Sequence, residues 1–166
     1  MYDASKDELQ LYLLLALNCG MTPQDMVDLK ASEVDWRKMT ISRVRSKMQK
    51  SEKGILVTYV LWDRTFGLLH KYGERNGLVI TKSKSTIQAA LRRHRDKIRM
   101  EEEIGYGTLK KTSGTLIAHK FDSDTNNLFL GHSPRGTTKR HYEAADQEKL
   151  NEAVRWLEGQ CFAVGT

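Results

Sequence analysis

The apolar residues of this chain follow a helical period, switch once to strict alternation, and then return to the helical period for the rest of its length. Leu9, Leu13, Leu14 and Leu17 recur at helical spacing and stop near Gly20. Ser5 stands three residues before Glu8, the form of a capping box at that helix's start. Thr22-Pro23 marks a second start, because proline suits the first helical position and threonine can cap it. Met26, Val27 and Leu29 would then face inward. Residues 39–44 and 55–60 alternate like strands, and the polar stretch between them ends on Gly54, which permits a turn. Together they predict a β-hairpin with a basic tip.

The helical period resumes through Phe66, Leu68, Leu69 and Tyr72. Residues 78–80 read as a short strand. A helix over residues 86–99 follows, with Ser85 as its cap and Ile87, Ala90, Leu91 and Ile98 as its buried stripe. It carries Arg92, Arg93, His94, Arg95, Lys97 and Arg99, the densest basic run in the chain. Such a run is by default a solvated face, and it is also available to phosphates. Residues 108–120 and 124–130 predict two more helices. A last amphipathic helix starts near Asp146 and shows Leu150, Ala153, Val154 and Leu157 at helical spacing. Helices, a small antiparallel sheet, then helices again predict an α+β fold that is mainly helical.

At 166 residues the chain is long enough for a single domain with a full core. Lysine and arginine outnumber acids 27 to 21, an excess that favours polyanions without naming one. Cys19 and Cys161 lie far apart without metal-ligand spacing, which predicts reduced thiols. No apolar run approaches the roughly 18 residues of a membrane span, and no secretory signal opens the chain. The expectation is a cytoplasmic protein with no membrane partner.

Leu130-Gly131-His132-Ser133 is followed by Thr137-Thr138-Lys139-Arg140-His141-Tyr142. This arrangement resembles the C-terminal signature of the tyrosine recombinases, the phage-integrase family. The resemblance runs over residues 13–157 and concerns the family's catalytic domain only. It implies one catalytic-type domain over residues 1–166, with the family's N-terminal DNA-clamping domain absent from this chain. Residues 17–29 resemble the family's first box, in which the usual arginine falls on Thr22. Capping already explains Thr22, so it is assigned no catalysis. The hairpin with Lys47 resembles the strand-turn-strand that carries a catalytic lysine, with Lys50 and Lys53 as nearby alternatives. Residues 106–112 resemble the third box, whose histidine falls on Gly107 and whose arginine falls on Lys110. Lysine keeps the charge there but loses the two-pronged grip of a guanidinium.

By this resemblance Tyr142 attacks a DNA phosphodiester, giving a 3′-phosphotyrosine and a free 5′ hydroxyl without metal or nucleotide cofactor. A phenol with a pKa near 10 is protonated at neutral pH, so it needs a proton acceptor and local positive charge. His132 would donate to a phosphate oxygen, Lys47 would protonate the leaving oxygen, and Lys110 would supply charge. Double-stranded DNA is the implied partner, in integration or recombination at the bacterial nucleoid, with self-association through the last helix. Arg43, Arg45, Arg92, Arg93, Arg95, Lys111, Arg135, Lys139 and Arg140 are the expected DNA contacts. Arg43, Arg45 and Arg135 are also candidates to replace the missing arginines. Thr22, Gly107 and Lys110 leave open a second reading, a module of the same fold that binds DNA without cutting it. A third has Trp62, Trp156 and the terminal helix serving protein assembly with no DNA role.

Overall fold

The computed structural model describes residues 7–49, 54–132 and 144–162. Its axis is helix α1 (Asp7–Asn18), in which Leu11, Leu13, Leu14, Leu15 and Ala16 are all buried. The sequence suggested one apolar stripe, with Leu17 on it. Instead the helix is apolar nearly all round and Leu17 is only half-buried, so neighbours must cover it on several sides. They are α2 (Pro23–Val27), α3 (Asp63–Tyr72), α4 (Lys84–Lys97), α5 (Tyr106–Lys120) and α7 (Ala144–Phe162). The expected N-cap, Ser5, lies outside the described residues.

The sheet has three antiparallel strands in the order β1 (Val34–Asp35), β2 (Thr40–Arg43), β3 (Val57–Val60). Ile41 lies opposite Tyr59 and Arg43 opposite Val57, which places four buried residues on one face. The hairpin was legible from alternation; β1, two residues long, is too short to alternate. Asn18 ties the sheet to α1, donating to the Val60 carbonyl at 2.9 Å and accepting from the Trp62 backbone at 2.9 Å.

Helix α7 lies across β3, α5 and α6 (Ser123–Phe129). Leu150, Ala153, Val154 and Leu157 are fully buried, as their spacing predicted. Each aliphatic side chain so buried contributes about 1.5–3 kcal/mol. Trp62 Nε1 donates to the Val154 carbonyl at 2.8 Å, and Gln147 Nε2 to that of Thr58 at 2.7 Å. The apolar stripe of α7 is therefore spent on its own chain, so the self-association expected of this helix would need another of its faces.

Two boundaries differ from expectation. Residues 78–80 form no strand: a single bridge joins Leu78 to Lys30, and the segment hangs from the Leu29 carbonyl through the Val79 N–H at 2.8 Å. Helix α4 starts earlier, because Ser83 rather than Ser85 caps it, accepting from the Thr86 N–H at 3.2 Å. Its buried stripe is Ile87, Leu91 and His94, so one member of the basic run points inward. Ala90 and Ile98 are only half-buried. Cys19 is buried and Cys161 half-buried, both as free thiols. Among the described residues, no helix is long and apolar enough to cross a membrane.

Candidate functional site

Two helix ends and one strand end meet on the side of the molecule where β2 stops. Helix α6 closes in a Schellman turn: the Gly131 N–H bonds to the Leu128 carbonyl at 2.9 Å and the His132 N–H to that of Asn127 at 2.8 Å. Gly131 takes φ +66° there, which a residue with a Cβ adopts only at a cost. This turn sets His132 just past the helix, exposed to solvent. Gly20, with φ +57°, makes the corresponding turn after α1.

Helix α2 begins next to that turn. The Asp25 N–H donates to Thr22 Oγ1 at 3.3 Å, and the Thr22 N–H to Asp25 Oδ2 at 2.9 Å, closing a capping box. Thr22 is thus fully occupied in capping, as its sequence context suggested. Asp25, buried, then receives Arg45 Nη1 on Oδ2 at 2.8 Å and the Ser46 N–H on Oδ1 at 3.0 Å. Burial alone would raise its pKa. The Arg45 charge and the hydrogen bonds from Thr22 and Ser46 outweigh that and bring it to about 2.

Arg43 and Arg45 leave the strand two residues apart and are both buried. Arg43 is a brace. Its Nη1 donates to the Asp25 carbonyl, its Nη2 to Ser46 Oγ at 3.0 Å and its Nε to the Val44 carbonyl at 3.5 Å. Arg45 is only 6% exposed, and its Nε and Nη2 have no hydrogen-bond partner. The two glycines make its slot. A Cβ on Gly131 would stand 2.6 Å from Arg45 Cγ, and one on Gly20 would stand 3.0 Å from Nη2.

Lys110, half-buried on α5, completes the cluster. Burial first, and then the charges of Arg45 and Lys47, lower its pKa to about 8 against the opposing pull of Asp25. The pKa of His132 is lowered by burial and by Lys110, Arg45 and Lys47. Lys47 itself is exposed, on a 3-10 turn (Ser46–Met48) that follows β2 rather than at a hairpin tip. Lys47, Lys110 and His132, three of the four side chains expected to do the chemistry, thus share one electrostatic field with Arg45. Asp25 is the carboxylate at its centre. The fourth, Tyr142, lies outside the described residues, as do Lys50, Lys53, Arg135, Lys139 and Arg140.

On the outer face of α4, Arg92 and Arg93 are exposed, while Arg95 is half-buried with Nη1 on the Ile104 carbonyl at 3.1 Å. Arg92, Arg95 and Lys111 line a groove of about 870 Å³ between α4 and the start of α5. Pro23 also lines it. Lys110 and Asp25, near neighbours of Lys111 and Pro23 in sequence, belong to the cluster, so groove and cluster adjoin. Among the described residues, no group of three or more His, Cys, Asp or Glu side chains is arranged to hold a metal ion.

The sequence did not reveal the part played by Asp25, nor that Arg45 is buried. The Thr-Pro-x-Asp spacing of a capping box could have pointed to Asp25. Nothing in a polar, basic stretch marks one arginine as interior.

Among solved structures, an integrase from mycobacterium phage Brujita matches with a TM-score of 0.70 and 14% identity, over 92% of this chain and 52% of that one. XerA recombinase matches with a TM-score of 0.60 and 16% identity, over 97% of this chain and 60% of that one. The fold is therefore tyrosine-recombinase/integrase-like, and the chain spans a little over half the length of these proteins. No protein-family model matches the sequence. No curated protein matches it either.

Proposed function

We propose that this chain is the catalytic domain of a DNA integrase or site-specific recombinase that breaks and rejoins strands through Tyr142. The observation that carries this reading is the gathering of Lys47, Lys110 and His132 around a buried guanidinium, beside a basic groove, in a recombinase-like fold. In the proposed reaction the Tyr142 oxygen attacks phosphorus and the bond to the 5′ oxygen breaks. The products are a 3′-phosphotyrosine and a 5′ hydroxyl, which takes its proton from Lys47. A 5′ hydroxyl from the partner strand then attacks the phosphotyrosine and releases Tyr142, so the strand is resealed without loss of bond energy.

The lowered pKa of His132 favours a neutral imidazole at pH 7, with one nitrogen to donate to a phosphate oxygen and one to accept. Lys110 regains its full charge when a phosphate arrives and offsets the repulsion of its neighbours. Charge aimed at the phosphorane matters because each missing donor costs roughly 10²–10³ in rate. Arg92, Arg93, Arg95 and Lys111 track the DNA backbone along the groove, and Arg135, Lys139 and Arg140 extend that contact. Arg43 serves as the brace behind them. We assign the protein to the cytoplasm, at chromosomal or phage DNA, and its assembly on DNA to surfaces other than the apolar stripe of α7.

A second reading, DNA binding without cleavage, is favoured by Thr22, which is consumed by capping, and by Gly107, which brings no imidazole. The two are separated with nicked suicide duplexes of randomised sequence, watching for a covalent protein–DNA band. We expect a band whose attached residue is Tyr142 and which Tyr142→Phe abolishes. A band of equal intensity from Tyr142→Phe rejects the nucleophile. Binding that weakens steeply with salt, with no band from any duplex, establishes the binding-only module.

A further inference from the structure

We propose that Arg45 grips the reacting phosphate, presenting the paired Nε–H and Nη2–H edge of its guanidinium to two oxygens of one phosphodiester. The site is then completed from the end of β2 rather than from the first turn of α2, where Thr22 stands. This rests on the recombinase reading for the identity of the anion, though not for the existence of an anion site.

Three independent observations carry it. Arg45 Nη1 is fixed on Asp25 at 2.8 Å, which leaves Nε and Nη2 as the free edge, the one with the two-pronged geometry that matches a phosphate or carboxylate. That edge is buried without a partner, and buried polar groups in folded proteins are satisfied by something. Second, both glycines that wall the slot are in left-handed turns and leave no room for a Cβ beside Arg45, so the backbone is shaped around this side chain. Third, the field around it is cationic. Lys47 and Lys110 add charge, while the Asp25 carboxylate is already saturated by Thr22, Arg45 and Ser46. A second carboxylate would neutralise that field; an incoming phosphate does the same. The fork is shielded from solvent, but Lys47 and His132, which share its field, are exposed, so the cluster reaches the surface there.

Arg43 is the internal control. It is equally buried on the same strand, yet each of its three guanidinium nitrogens is engaged by the protein. Burial of an arginine here does not by itself leave an empty fork.

The test uses the full chain and inorganic phosphate as the probe. In arginine-selective NMR, the Nε–H signal lost in Arg45→Lys is Arg45's own. We expect it to shift on phosphate addition in the unaltered protein, with saturation. We also expect Arg45→Lys to weaken phosphate binding at least about tenfold and covalent product on suicide duplexes about 10²-fold, while Arg92→Ala leaves phosphate binding unchanged. An Arg45 signal that stays put at saturating phosphate overturns the proposal, and so does an Arg45→Lys protein that forms covalent product at the wild-type rate. The latter result leaves the recombinase reading standing. Phosphate binding through Arg45 with no covalent product from any duplex does the reverse: the anion site holds and strand cleavage falls. Should Arg45→Lys fold poorly, the signal is assigned instead by through-bond correlation to the Arg45 backbone, and its response in the unaltered protein decides.

Discussion

Arg92 and Arg93 on α4 carry the same charge as Arg45 and Lys110 beside Asp25, but the two groups are built differently. The α4 arginines extend into water from a helix whose other face is buried by Ile87, Leu91 and His94. Their charge costs little, is screened by salt, and holds nothing in place. Around Asp25 the charges are held inside the protein, where every one needs an answer. Capping of α2, two glycine turns and a brace from Arg43 are all spent on positioning Arg45 and the carboxylate it meets. The contrast suggests a division of labour: the outer face for attraction to a polyanion, the inner cluster for fixing one anionic group.

The comparison breaks most sharply at Asp25. Replacing it by alanine leaves two buried guanidinium groups facing each other's field, which should cost about 3–5 kcal/mol of stability. Chemical denaturation measures it; a loss under 1 kcal/mol would mean that the inner cluster obeys the same rules as the outer face. Gly131→Ala comes next. The strained φ and the 2.6 Å approach to Arg45 act together, and we expect a loss of about 1–3 kcal/mol. Gly107→Ala is the matching control, since a Cβ there meets nothing within 4 Å; it should be neutral or slightly stabilising.

Lys110 gives a smaller effect with a distinctive pH signature. Its pKa is about 8 in the folded protein against an ordinary 10.5, so the folded state binds fewer protons than the unfolded state between those values. Stability should therefore rise as pH climbs from about 8 to 10.5. Lys110→Met should melt a few degrees higher than wild type at pH 7 and lose that advantage above pH 10.5. An advantage that does not change with pH would point to packing rather than charge. Smallest of all is the stability effect of Arg92→Ala with Arg93→Ala, within about 0.5 kcal/mol. The same double variant should lower the salt slope of DNA binding by roughly one for each phosphate contact removed.

What could be read from the chain follows the same division. Elements with an apolar face announced themselves: α7 through Leu150, Ala153, Val154 and Leu157, and the hairpin through its alternation. The surroundings of α1 were hidden, because a helix buried on nearly every side has no stripe to find. Within the site, Thr22 as a cap and the Gly131-His132 turn were legible, since both are set by the backbone needs of a helix end. Arg45 was not. Its partner Asp25 lies 20 residues away, and an arginine between strands reads the same whether it faces water or a buried carboxylate. The N-cap of α4 was misread for a related reason: Ser83 and Ser85 are chemically equal, and only the start of the buried stripe chooses between them.

The most direct measurement is an anomalous-difference map from crystals of this protein soaked in tungstate, a heavy tetrahedral oxyanion. We expect a peak within hydrogen-bonding distance of the Nε and Nη2 of Arg45, near the Lys110 ammonium. A peak confined to the groove beneath Arg92, with the Arg45 fork empty or filled by water, would contradict the division between inner and outer cations.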